Sequence, residues 1–209
     1  MLRPSFNKGF TLVELLVCIV IFVLMTGFVA VKYGGFNQSM LLNNLAYDIA
    51  LTIREAQSYG VSVSDIAVAG DFNKTYGVHF DGAGTPGPGG VRYNKTFILY
   101  ADTDNNNRYT LADPIIRRYV IGRGNYIRQL CHNSTCGAGQ VAGGVGSFAA
   151  STVRQDASVL FKRPSPAPMI YSQAVPNAQY LEIRISNEGS SIMKKIIVRS
   201  TGQISIEEI

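Results

Sequence analysis

The sequence predicts an α+β protein, with a long N-terminal hydrophobic helix packed on a β-rich, mainly antiparallel head. Three observations carry that expectation. Phe10 to Val31 gives 22 positions with a single charge, Glu14. Leu42, Leu45, Ala46, Ile49, Ile53 and Ala56 then recur at helical spacing, while Asn43, Asn44, Asp48, Arg54 and Glu55 fall mostly on the other face. Beyond residue 60 the apolar period shortens toward two, punctuated by Gly- and Pro-rich pieces.

Composition narrows the class. The chain has 209 residues, 46% hydrophobic and 16% charged, which excludes a highly charged disordered protein. Its net charge of +5 arises from 19 basic and 14 acidic residues dispersed along the chain. Charge alone therefore does not indicate a nucleic-acid partner.

The apolar run is the first element to justify. As a helix it would extend about 33 Å, enough for the hydrocarbon core of a bilayer. A cleaved secretory signal would be shorter and would end in a small-x-small site, which Ala30-Val31-Lys32 does not offer. Arg3 and Lys8 on the short side predict an N-terminus inside the cytoplasm and a head outside it. Glu14 is the anomaly, since a carboxylate at a membrane-helix centre costs about 2.5–3.5 kcal/mol. Either it reaches the interface or it meets a cation.

The residues around it favour the cation. Gly9-Phe10-Thr11-Leu12-Val13-Glu14-Leu15-Leu16-Val17 resembles the class III signal of type IV pilins and type II secretion pseudopilins. The resemblance implies cleavage by a prepilin peptidase between Gly9 and Phe10, and N-methylation of Phe10. It also implies that Glu14 faces the Phe10 amine of a neighbouring subunit during assembly. The expected partners are then other pilin or pseudopilin subunits, the peptidase, an inner-membrane assembly platform, and membrane lipid before assembly. The stretch AYDIALTIREAQSYGVSV is similar to minor pilins and H-type minor pseudopilins. Four segments are expected: a cleaved leader (1–9), a transmembrane and filament-core helix (10–33), its amphipathic continuation (34–60), and an extracytoplasmic head (61–209). Gly34-Gly35 is read as a break, with helix resuming near Ser39, and Gly60 as a stop.

Within the head, strands are expected at Val61–Ala69, Thr75–Phe80, Phe97–Ala101, Ile115–Ile121, Tyr126–Cys131, Ser158–Phe161, Tyr180–Ser186, Lys194–Ser200 and Gln203–Glu207. Turn-rich pieces at 82–90, 137–147 and 163–168 separate them, and Thr201-Gly202 reads as a hairpin turn. So many strands suit either two small sheets under the helix or one sheet with long loops.

Three constellations could carry chemistry. Asp102, Asp104 and Asn106 alternate, Arg108 would offer a backbone carbonyl, and Asp113 stands at the twelfth place of a calcium-type loop. An Asx-turn without metal is the alternative. No cofactor is required, and Ca²⁺ is the ion considered for the loop. Cys131 and Cys136 read as a small disulfide loop in an oxidising compartment; zinc would need two more ligands, and only His132 is near in sequence. Arg117, Arg118, Arg123 and Arg128, interleaved with Tyr119 and Tyr126, and a second basic group of Lys194, Lys195 and Arg199, read either as a DNA-tracking patch or as a solvated face. Salt partners such as Glu182, Glu188, Glu207 and Glu208 would support the second reading. No nucleophile–base arrangement is visible, so no enzyme is expected. The expected function is a minor pilin or pseudopilin of a pilus or secretion-type filament; the alternative is a DNA- or surface-binding minor pilin.

Overall fold

The computed structural model describes residues 9–62, 74–82, 93–133, 135–136, 156–172, 175, 177–188 and 192–209. The chain divides into two compact units, Met1–Gln38 and Ser39–Ile209. One helix, α1 (Leu12–Val61), runs through Gly34 and Gly35 without the expected break. Glycine costs a helix about 1 kcal/mol per position, a penalty that hydrogen bonding on either side outweighs. In the first unit the described side chains from Leu12 to Phe28 are exposed. Among the described residues, no helix is long and apolar enough to cross a membrane.

The second unit is built on the amphipathic half of α1. Leu42, Ala46, Ile49, Ile53 and Ala56 are fully buried and Leu45 nearly so. That face is the one the helical spacing predicts. It joins a contiguous apolar core with Val78, Phe80, Phe97 and Leu99 from one sheet and Ile127, Leu130, Ile183 and Ile196 from another.

Among the described residues ten strands follow: β1 (Thr75–Asp81), β2 (Thr96–Asp102), β3 (Ile115–Val120), β4 (Asn125–His132), β5 (Thr135–Cys136), β6 (Asp156–Phe161), β7 (Met169–Tyr171), β8 (Tyr180–Asn187), β9 (Met193–Arg199) and β10 (Ile204–Glu208). They form two five-stranded sheets in the orders β3-β2-β1-β6-β7 and β10-β9-β8-β4-β5. Every pairing among these described strands is antiparallel. The two-sheet reading is thus the one observed. The β9–β10 hairpin turns at Thr201-Gly202, where Gly202 has φ 88° and its N–H donates to the Arg199 carbonyl at 2.8 Å. Only glycine adopts that conformation without strain.

Some sequence expectations shift. Val61 closes the helix instead of opening a strand, and 63–69 lie outside the described residues, as do 83–90 and 137–147. β3 ends at Val120, because the next partner position, Lys95, belongs to the 3₁₀ turn Tyr93–Lys95; the Ile121 N–H still donates to the Lys95 carbonyl at 2.8 Å in the same register. The strands β5 and β7 were not expected; at two and three residues they are too short to show a period.

Strand β2 is buried along its whole length. Phe97 and Leu99 face the main core, while Ile98 and Tyr100 form a second cluster with Leu160, covered by Tyr109, Met169 and Tyr171. Tyr109 belongs to the segment joining β2 to β3. Its ring meets Tyr100 edge-on at 5.2 Å and His79 at 5.1 Å. These contacts fold the aspartate-rich segment over the outer face of the first sheet.

His79 carries a pH consequence. Its Nδ1 lies 3.1 Å from Ser158 Oγ, and burial pushes its pKa from 6.5 down to about 4, against the opposing pull of Asp156. Burial lowers the pKa of His132 as well. Below pH 6.5 the unfolded chain takes up protons that these folded rings refuse. Their contribution to stability is therefore full above that pH and shrinks below it; the His79 part levels off below about pH 4. The His79 share is about 2–3 kcal/mol. Urea unfolding at pH 7 and 4.5 should show the loss, and His79→Gln should remove the larger part of it.

Candidate functional site

At the start of the described chain, Phe10 is 76% exposed and a Cβ built on Gly9 would meet nothing within 4 Å. The fold therefore makes no demand for glycine at position 9. Thr11 and Glu14 form a reciprocal cap at the helix start. The Thr11 N–H and hydroxyl donate to Glu14 Oε2 at 3.1 and 3.0 Å, and the Glu14 N–H donates to Thr11 Oγ1 at 3.2 Å. Two orphan donors of the first turn are satisfied in this way. Thr11 is the residue the sequence reading missed, although Thr-x-x-Glu before an apolar run is its signal. After this turn the exposed side chains, Leu12, Val13, Val17, Ile21, Phe22 and Met25 among them, surround the helix instead of forming one stripe. A helix apolar on every side belongs inside a larger assembly or a lipid phase.

The aspartate segment is the second site. Asp102, Asp104 and Asp113 each bring one carboxylate oxygen to within 4.8 Å of the others. Backbone turns with positive φ at Asn105 (56°) and Asn107 (62°) curl the segment. Asp102 Oδ2 accepts the Asn107 N–H at 2.9 Å, and Asp104 Oδ1 accepts the Asn106 N–H at 3.1 Å. Asn106 shapes the loop as well: its amide donates to Asp104 Oδ2 at 2.6 Å, and its Oδ1 accepts the Arg108 N–H at 2.9 Å. Asp113 does more than the expected closing carboxylate. Its Oδ1 accepts the Thr103 N–H and hydroxyl at 3.1 and 3.2 Å, and its Oδ2 accepts the Thr110 N–H and hydroxyl at 2.7 and 2.8 Å. Burial raises the Asp102 pKa above the ordinary carboxylate value, and the charges of Asp113 and Asp104 add to it.

Cys131 and Cys136 form a disulfide between facing positions of β4 and β5. This takes both thiols from the zinc alternative, and His132 is buried in β4. Cys18 is an exposed free thiol on α1.

The four arginines are not brought onto one ladder. Arg117 and Arg118 lie on β3 in the first sheet, Arg128 on β4 in the second, and Arg123 in the turn between those strands. Arg117 Nη1 is engaged with Tyr119 Oη at 2.9 Å and Glu55 Oε2 at 3.4 Å. Of the acidic residues expected as salt partners, Glu207 and Glu208 pair with Lys195 and Lys194 of the second basic group, as the solvated-face reading expects, while Glu182 and Glu188 pair with bases outside both groups. Glu182 pairs with Arg184 at 2.6 Å, Glu188 with Lys95 at 2.5 Å, Glu207 with Lys195 at 2.9 Å and Glu208 with Lys194 at 3.6 Å.

No curated protein and no solved structure matches the chain. Residues 5–30 match the prokaryotic N-terminal methylation motif, so the chain carries the N-terminal signature of type IV pilin-like proteins.

Proposed function

We propose that this chain is a structural subunit, a minor pilin or pseudopilin, of a type IV pilus or type II secretion-type filament. One observation carries the reading: an exposed helix start, apolar on every side, holds a lone carboxylate one turn from Phe10 and coincides with the methylation motif. Prepilin peptidase cuts between Gly9 and Phe10 at the cytoplasmic face, and the new Phe10 amine is methylated. The apolar run from Phe10 to Val31, which is longer than its described side chains, then holds the subunit in the inner membrane with its head outside the cytoplasm. On assembly, Glu14 exchanges its Thr11 donors for the Phe10 ammonium of the adjacent subunit. An ion pair in low dielectric fixes register, because losing either partner strands the other charge. The long intervals between β1 and β2 and between β5 and β6 support a minor over a major role, since such segments are costly to repeat at every position. The DNA-binding alternative is less favoured, because its arginines are divided between two sheets.

Mass spectrometry of chain recovered from membranes is the test. The mature protein should begin at methylated Phe10, and Gly9→Val should retain residues 1–9. Glu14→Gln should be processed normally yet fall in sheared fibres by on the order of a hundredfold, as expected for a broken buried pair. A mature chain starting elsewhere, or wild-type incorporation of Glu14→Gln, refutes the reading.

A further inference from the structure

The β2–β3 segment brings three carboxylates together without a cation. One oxygen from each of Asp102, Asp104 and Asp113 falls within 4.8 Å of the other two. Calcium–oxygen bonds of 2.3–2.6 Å place oxygens that share one ion at most about 5 Å apart. Magnesium dehydrates reluctantly and keeps several waters, so three carboxylates on one ion suit it less. The offered groups are all hard oxygens, which suits calcium and disfavours zinc.

A second, independent observation points to a ligand. Asp102 is 0% exposed, and its Oδ1 is buried with no hydrogen-bond partner among the described residues. An unpartnered carboxylate oxygen in the interior is costly unless a cation meets it. Among the described residues, no ion pair reaches Asp102, Asp104 or Asp113. Asp104, by contrast, is exposed, so the cluster opens to solvent on its side.

We infer that the β2–β3 segment is a calcium-binding site, in which Asp102, Asp104 and Asp113 hold one Ca²⁺ and water completes its shell. The buried Asp102 oxygen supplies the fixed ligand, and Asp104 closes from the solvent side. Asp113 holds the segment in shape through Thr103 and Thr110 while presenting its charge to the ion. With few protein ligands, affinity falls in the extracellular range of roughly 10⁻⁴–10⁻³ M. This site stands apart from the N-terminal reading and survives its failure.

The test is thermal unfolding of the full chain in detergent, stripped with EDTA and then titrated with CaCl₂ or MgCl₂. At about 10 mM Ca²⁺ the midpoint should rise by about 3–6 °C and saturate, with Mg²⁺ well below that. Asp102→Asn should abolish the rise. Asp104→Asn should do the same and, because Asp104 is exposed, should still unfold cooperatively in EDTA, so the result does not depend on the buried variant folding. No saturable calcium shift in the wild type, an equal shift with magnesium, or an undiminished shift in Asp104→Asn overturns the assignment.

Discussion

Gly60→Ala is expected to lower the thermal midpoint by about 6–12 °C, corresponding to roughly 3 kcal/mol of overpacking. Gly60 is buried in the last turn of α1, and a Cβ there would lie 2.6 Å from both Cβ and the carbonyl oxygen of Phe161. Neither atom is the movable end of a flexible side chain. Relief would require α1 or β6 to shift, and both are fixed in the core by Ile53, Ala56, Val159 and Phe161. Gly122→Ala is the matched control: its Cβ would meet nothing within 4 Å, and the change should stay within about 0.5 kcal/mol. Calorimetry of the two variants side by side checks the pair. Equal midpoints would mean that α1 does not end against β6.

Asp113→Ala is expected to destabilise the protein by about 3 kcal/mol in EDTA, with Asp113→Asn losing about half as much. The carboxylate is 4% exposed and accepts four hydrogen bonds from Thr103 and Thr110. Each charge-assisted bond contributes about 1.5–3 kcal/mol, but the four form one network and do not add. Asparagine keeps an acceptor for one threonine and turns an amide donor toward the other. Hydrogen exchange should show the Thr103 and Thr110 amides losing protection in Asp113→Ala, ahead of any change in β8 or β9. Unaltered exchange at those amides would show that Asp113 does not organise the segment.

Local periodicity made much of this fold legible. The buried face of α1 follows from the spacing of Leu42, Ala46, Ile49 and Ile53, and the β9–β10 turn follows from Thr201-Gly202. The division into two sheets does not follow from local pattern. It depends on pairings such as Val78 with Val159 and Ile127 with Ile185, which join distant stretches whose strands look alike. Strand β7, behind the proline-rich 163–168, has only Met169, Ile170 and Tyr171 to show. At the site, the alternation of Asp102, Asp104 and Asn106 pointed to an oxygen cluster. The same spacing hid the work of Asp113, because nothing in the sequence says that Thr103 and Thr110 turn back toward it. Thr11 was hidden differently: its capping pattern is plain, but the resemblance already gave Glu14 a partner on another chain.

The four bordering strands of the two sheets have a consequence for self-association. β7 and β5 span three and two residues, too little to template an added strand. β3 presents Arg117 and Arg118 mid-strand, and β10 ends in Glu207 and Glu208. Short or charged borders discourage zipping of one sheet onto another. Among the described strands the heads are thus insulated from amyloid-like stacking even when crowded. Exposed apolar side chains gather instead in the first part of α1, from Leu12 to Phe28, which leaves self-association to that segment and not to the sheets.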